Sequence, residues 1–192
     1  MKLNLPTKFT VMRLILIPFC MVFIIYPIFP GDVIWRIVAA ALFIITSLTD
    51  MLDGQLARKM NLVTDLGKFL DPLADKMLVI GVLLAIIIRY ANFDPAFCNI
   101  LGWGLFIIIL REMSVTLLRM MASNKEGIVI AAAWLGKVKT TVQMVGIVVM
   151  LIEPLFPVTH MSVSYVMTAA MIVLTVWSGL EYFKAYMPML SE

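Results

Sequence analysis

Six apolar runs, each close to the length a helix needs to cross a bilayer, leave this chain few folds to choose from. A transmembrane helix takes about 20 apolar residues. Candidate spans lie near 10–29, 33–57, 67–91, 97–121, 130–152 and 161–185. The breaks between them carry turn chemistry: Pro27, Pro30 and Gly31; Asn61 to Gly67; Asn92 to Pro95; Ser123 to Gly127; Pro154 and Pro157. A soluble fold would have to bury several all-round-apolar helices in too small a globule. The residues are 62% hydrophobic and 14% charged, against about 45–50% apolar and about 25% charged in soluble domains. The sequence therefore predicts an all-α integral membrane protein, one domain over residues 1–192, built as a six-transmembrane-helix bundle behind a short interfacial N-terminal segment. The first run has no small-residue cleavage site after it, so it is expected to be a retained span. Cys20 and Cys98 lie far apart among apolar residues, without metal-type spacing, and read as inert packing. The 16 methionines suit flexible filling between helices.

The basic residues orient the bundle. Lys2, Lys8, Arg13, Arg58, Lys59, Lys68, Lys76, Arg111, Arg119, Lys125, Lys137, Lys139 and Lys184 fall at the termini, in the second and fourth loops, or at the helix ends beside them. Of the 15 Lys and Arg residues, only Arg36 and Arg89 remain for the opposite side. The positive-inside rule then puts both termini in the cytoplasm, together with the acid-rich segment described next. The formal charge of +3 is met by anionic lipid and gives no reason to invoke nucleic acid.

The segment TDMLDGQLARKMNLVTDLGKFLDPLADK, Thr49 to Lys76, holds five aspartates. The purely apolar part of the third run is short, Met77 to Ile88, and that of the second runs from Ile37 to Thr49. Both reach bilayer length only if their helices continue through the acidic turns. Asp50, Asp53, Asp71 and Asp75 are thus expected at membrane depth near the cytoplasmic surface, where a carboxylate points to function. Asp50, Asp53 and Ala57 share one helical face, and Gly67, Asp71 and Asp75 share another. Two antiparallel helices joined by a short turn can aim all four carboxylates at one point. Such convergence repels strongly unless cations balance it. Two divalent ions match four carboxylates, and oxygen-only ligation favours Mg²⁺ or Mn²⁺. Gly54 and Gly67 leave room for a phosphate or a helix to approach. Pro72 is expected in the first turn of its helix, where it is tolerated. Solvated helix ends would explain Asp65, Lys59 and Lys68, but not four aspartates in register on two faces.

The pattern Asp50-x2-Asp53-Gly54-x2-Ala57-Arg58-x8-Gly67-x3-Asp71-x3-Asp75 resembles the signature of the CDP-alcohol phosphotransferase family at every position. NLPTKFTVMRLILIP at the start, REMSVTLLR in the fourth run and GKVKTT opening the fifth look like its bacterial phosphatidylglycerophosphate synthase branch. The resemblance implies a six-helix enzyme of the bacterial inner membrane, commonly a homodimer, that displaces CMP from CDP-diacylglycerol with sn-glycerol 3-phosphate as acceptor. It implies that Asp50, Asp53, Asp71 and Asp75 hold two metal ions. Asp75 would also be the base for the acceptor hydroxyl, and Asp71 would share in catalysis. Gly54, Ala57, Arg58 and Gly67 would line the CDP pocket, with Thr10 and Arg13 close to the nucleotide side.

Other readings compete at the weaker positions. Pro6 could start an interfacial helix, with Thr10 neutral and Arg13 snorkelling to the surface. Arg58 could be a plain helix-end charge. Glu112 could neutralise one neighbour in a cluster between helices, leaving Arg111, Arg119, Lys137 and Lys139 with surplus positive charge for an acceptor phosphate. Lys137 and Lys139, two apart on a helix, cannot both point the same way, so one is expected to contact substrate and the other to face lipid headgroups or solvent. His160, Trp35, Trp103 and Trp177 need no role beyond packing or anchoring. Among functions, another acceptor (inositol phosphate, serine or phosphatidylglycerol) is the nearest rival. A divalent-cation transporter could also place aspartates in a membrane, but it has no evident need of Gly54, Ala57 and Arg58 at fixed offsets, and inverted halves are not visible.

Overall fold

The computed structural model describes residues 5–28, 31–60, 65–124 and 134–190; within its helices the side chains at 5–9, 50–72, 75, 120–124 and 187–190 lie outside the described set. Six helices follow in chain order: α1 Leu5–Ile25, α2 Asp32–Met60, α3 Asp65–Tyr90, α4 Pro95–Asn124, α5 Trp134–Ile152 and α6 Ser162–Leu190. Two 3₁₀ turns, Glu153–Leu155 and Pro157–Thr159, join α5 to α6. No strand occurs among the described residues.

Among the described residues, four apolar stretches are long enough to cross a bilayer: Asp32–Thr49, Pro95–Arg119, Trp134–Leu155 and Ser162–Tyr186. Thr10–Ile25 in α1 is a shorter apolar stretch. The outer surface fits lipid better than water. Trp103, Phe106, Leu110, Met113 and Leu117 recur at helical spacing along α4, and all are exposed.

Two expectations meet a different geometry. Leu5–Ile25 is one uninterrupted helix, with no break between the N-terminal residues and the first apolar run, and it continues through Pro18. Pro72 does not fall in a first turn, because α3 already begins at Asp65. Inside the helix a proline forfeits the hydrogen bond to the carbonyl four residues earlier.

Local chemistry fixes the helix starts. Asp94 precedes Pro95, and its carboxylate accepts the Phe97 N–H at 2.9 Å, capping α4 with proline at the first helical position. The same carboxylate accepts the Tyr165 hydroxyl at 3.1 Å, tying this cap to α6. The first turn of α6 is capped from another element. Buried Glu153 accepts the N–H groups of Val163 at 2.8 Å and Ser164 at 2.6 Å, and also the Ser164 hydroxyl. Left-handed residues His160 (φ 44°) and Met161 (φ 62°) turn the chain between these points.

α1 packs along both α3 and α2; α6 packs against α4 and α5; α3 also meets α4 and α5, and α2 meets α5. The core is apolar, with Ile24, Phe43, Leu83, Ile86, Phe97 and Met150 fully buried. The α6 face differs, because Ser164, Thr168, Thr175 and Ser178 are buried there. Small residues let helices approach closely where lipid supplies no hydrophobic drive. Two of these hydroxyls turn back on the preceding turn, Thr168 donating to the Ser164 carbonyl at 2.8 Å and Ser178 to that of Thr175 at 3.1 Å. At Gly104 a Cβ would stand 2.9 Å from Ile172 Cδ1, so α4 and α6 meet where there is no side chain.

Candidate functional site

Asp50 and Asp53 belong to the last part of α2, followed by Gly54, Ala57 and Arg58, while Gly67, Asp71 and Asp75 belong to the first half of α3. The side chains of this set lie outside the described residues; the two helices that carry it are described. Met60 ends α2 and Asp65 begins α3. Five residues of chain span at most about 18 Å, so these two helix ends stay together. Among the described residues α1 packs along both helices. Acids borne at i,i+3 on one helix and i,i+4 on another, with only oxygen donors, fit a pair of hard divalent cations.

α1 contributes Thr10 and Arg13, three residues apart on one face, and both are buried; Arg13 is 1% exposed. Snorkelling to the surface is therefore excluded for Arg13. Neither residue is without a partner. The helix that links the two acid-bearing helices thus carries a buried guanidinium.

A second polar centre lies where α4, α5 and α6 meet. Glu112 Oε1 accepts from Arg111 Nη1 at 3.1 Å and from Lys139 Nζ. Glu112 thus meets two cations, Arg111 on its own helix and Lys139 on α5, while its single charge offsets only one of them. Arg119 Nη2 donates to the Tyr182 hydroxyl. The Tyr182 ring centroid lies 5.3 Å from the Arg111 guanidinium and 5.0 Å from that of Arg119. Gly179, one turn before Tyr182, makes room for this arrangement: a Cβ there would lie 3.1 Å from Arg111 Cγ.

Of the expected basic set, the structure brings Arg111, Arg119 and Lys139 together and leaves Lys137 outside. Lys139 is buried at 4% exposure and Lys137 is exposed. The two lysines point apart, as their spacing on the helix required. Lys76 joins this centre to the acid motif. Its ammonium donates to Thr116 Oγ1, which in turn donates to the Glu112 carbonyl at 2.7 Å. The residue directly after Asp75 is therefore bonded to the α4 cluster. Sequence reasoning assigned no site role to Lys76, Thr116 or Tyr182. Adjacency to Asp75 was a usable signal for Lys76; Tyr182 sits in an apolar helix with no motif around it.

Comparison with known proteins bears on these two centres together. The sequence pattern of the CDP-alcohol phosphatidyltransferase family matches residues 3–177. The chain is 39% identical over 190 residues to a Bacillus subtilis (strain 168) protein, with 94% of each chain covered. It is 37% identical over 191 residues to proteins of Shigella flexneri serotype 5b and Escherichia coli K12, with 96% of each chain covered. All three relatives bear the name CDP-diacylglycerol–glycerol-3-phosphate 3-phosphatidyltransferase. The match takes in α1 with its buried Arg13, the acid-bearing α2 and α3, the basic cluster on α4 and α5, and most of α6. On that near-complete span the chain belongs to the CDP-alcohol phosphatidyltransferase family.

Proposed function

We propose that this protein moves the phosphatidyl group of CDP-diacylglycerol onto sn-glycerol 3-phosphate, giving phosphatidylglycerol phosphate and CMP. The observation that carries this reading is the eight-position acid signature borne on α2 and α3, within a chain that resembles enzymes of that name from end to end. A bond forms from the acceptor hydroxyl oxygen to the lipid-linked phosphorus, and the phosphorus–oxygen bond to CMP breaks. Asp75 takes the hydroxyl proton, which needs a carboxylate within hydrogen-bond reach. Asp50, Asp53, Asp71 and Asp75 would hold two Mg²⁺ or Mn²⁺ ions, whose chemistry is to neutralise charge on the phosphoryl and leaving oxygens. Arg58 presents a guanidinium fork to the diphosphate of the donor. Gly54, Ala57 and Gly67 give that group room, and Thr10 and Arg13 bound the nucleotide side.

The basic centre supports the choice of acceptor. Among its described residues, Arg111, Arg119, Lys76 and Lys139 outnumber the one carboxylate, Glu112. Surplus positive charge at membrane depth is costly unless an anion meets it. A phosphorylated acceptor supplies that anion, and serine or free inositol does not. Lys139 and Arg111 are both engaged by Glu112, so Arg119 is the group best placed to receive the phosphate, with Arg111 beside it and Lys137 facing headgroups.

The test is CMP release from CDP-diacylglycerol by the purified protein with a panel of acceptors. Glycerol 3-phosphate should be preferred, and Arg119→Ala should raise its KM by about tenfold or more, equal to about 1.4 kcal/mol, with a smaller effect on CDP-diacylglycerol. Preference for an unphosphorylated alcohol, or an unchanged acceptor KM in the variant, would overturn the acceptor assignment. Absence of CMP release would overturn the whole reading.

All six helices are taken as spans of a bacterial inner membrane, with both termini and the acid motif on the cytoplasmic side, in a homodimer. A cysteine placed at Asn61 should then label only from the cytoplasm and one at Asp94 only from outside, and cross-linking in the same cells should capture a dimer. Reversed labelling would refute the orientation, and a chain that stays monomeric would refute the dimer.

A further inference from the structure

At the end of the bundle away from the acid motif, two guanidiniums share one aromatic ring. Arg36 lies fourteen residues before Asp50 on α2, and Arg89 fourteen after Asp75 on α3, about 21 Å along each helix. The Trp35 indole is fully buried and anchored to α1, its Nε1 donating to the Phe23 carbonyl at 2.5 Å. Arg36 stands 5.0 Å and Arg89 4.8 Å from that ring's centroid. Arg36 is 7% exposed and donates to the Tyr90 hydroxyl, which itself donates to the Met150 carbonyl at 3.1 Å. Elements from α1, α2, α3 and α5 therefore hold this pair of cations in place.

Among the described residues neither guanidinium forms a salt bridge with a carboxylate. The ion pairs among described residues that involve arginine or lysine at a carboxylate are those of Glu112. At this end of the bundle Asp94 and Glu153 are committed to the starts of α4 and α6. Asp32, one turn before Arg36, is exposed and forms no salt bridge with it. Arg89 is only partly buried, yet its Nε is shut off from solvent and has no hydrogen-bond partner. Guanidiniums are planar forks suited to phosphate oxygens.

We propose that Arg36 and Arg89 bind the phosphate of an anionic phospholipid headgroup in the leaflet facing away from the acid motif. Arg89 makes the outer contact, and Arg36, held by Tyr90, supplies charge from beneath. The surroundings favour a lipid over a free ion. Tyr26, Phe93, Phe156 and Val158 are exposed at this end, Phe93 at 72% and Val158 at 88%, and they offer apolar surface to the glycerol and upper acyl chains. Inorganic phosphate would use none of that surface.

The experiment uses the full chain in detergent and measures thermal stabilisation by dioleoyl phosphatidylglycerol, dioleoyl phosphatidylcholine and inorganic phosphate. Wild type, Arg89→Gln and Arg89→Lys are compared, with CMP release from each as the check that the bundle is intact. Phosphatidylglycerol should stabilise the wild type more than phosphatidylcholine does. Its apparent affinity should fall by about tenfold in Arg89→Gln, the scale of one charge-assisted contact. Arg89→Lys should recover part of the loss, and CMP release should stay unchanged throughout. Equal phosphatidylglycerol affinity in wild type and Arg89→Gln would overturn the site, as would phosphatidylcholine acting as well as phosphatidylglycerol. Inorganic phosphate that matched phosphatidylglycerol with the same dependence on Arg89 would overturn the lipid assignment in favour of a free anion.

Discussion

Asp75→Asn should lower CMP release by about a thousandfold or more while the protein stays inserted and folded, and Asp71→Asn should act alike. A positioned base alone contributes about 10²–10⁴ in rate, and loss of a metal ligand adds to that. Asparagine keeps the shape of the side chain and removes the charge that would bind a cation or take a proton. The motive is placement: α3 carries Asp71 and Asp75 one turn apart in its first half, beside the end of α2 that carries Asp50 and Asp53. The measurement is CMP release at saturating Mg²⁺, with the melting midpoint in detergent as a folding control. Near-wild-type turnover in either variant would remove the acid motif from the chemistry.

Glu112→Gln should cost about 3 kcal/mol of stability, the lower end of what removing one member of a buried ion pair costs. Glu112 is the shared partner of Arg111 and Lys139, and the side chains of Glu112 and Lys139 are only 14% and 5% exposed. Glutamine keeps a hydrogen-bond acceptor but leaves two neighbouring cations without their counter-charge. Adding Lys139→Met to Glu112→Gln should restore more than half of the loss, because the stranded ammonium is removed as well. Unfolding midpoints of the two single variants and the double variant decide it. A Glu112→Gln protein as stable as wild type, or a double variant no better than the single, would show that the pairing carries little energy.

Much of the helical layout could be read from the chain because hydropathy and turn residues are local signals. Apolar runs bounded by Pro, Gly and Asn became six helices, and the ends of α2 and α3 extend through the acidic turns. Lys137 and Lys139 point apart, one exposed and one buried, because residues two apart on a helix cannot share a face. What escaped was long-range. Trp35 read as packing or anchoring and Arg36 and Arg89 as the two charges left for the opposite side, and only folding brings them together around one ring. Tyr182 lies 63 positions from Arg119, in a helix whose apolar pattern hides its function. Glu153 stands beside Pro154 outside any motif, and no periodicity reveals that it bonds to a helix start ten residues later. Pro72 misled because it was counted into a first turn that it lies beyond even from Gly67, and α3 starts earlier still, at Asp65.

The cap supplied by Glu153 sets more than a helix start. It grips α6 at Ser164, and Tyr182 lies eighteen residues further along the same helix, about five full turns and about 27 Å away. Five whole turns return a side chain to the azimuth from which it began. The carboxylate thus acts as an index mark on a rigid shaft: it fixes the rotational phase with which α6 presents Tyr182 to Arg111 and Arg119 at the opposite end. One residue inserted between those points would turn the ring by about 100°, away from both guanidiniums. The spacing from Ser164 to Tyr182 is therefore a dimension of the basic centre, although its upper end touches none of the reacting groups.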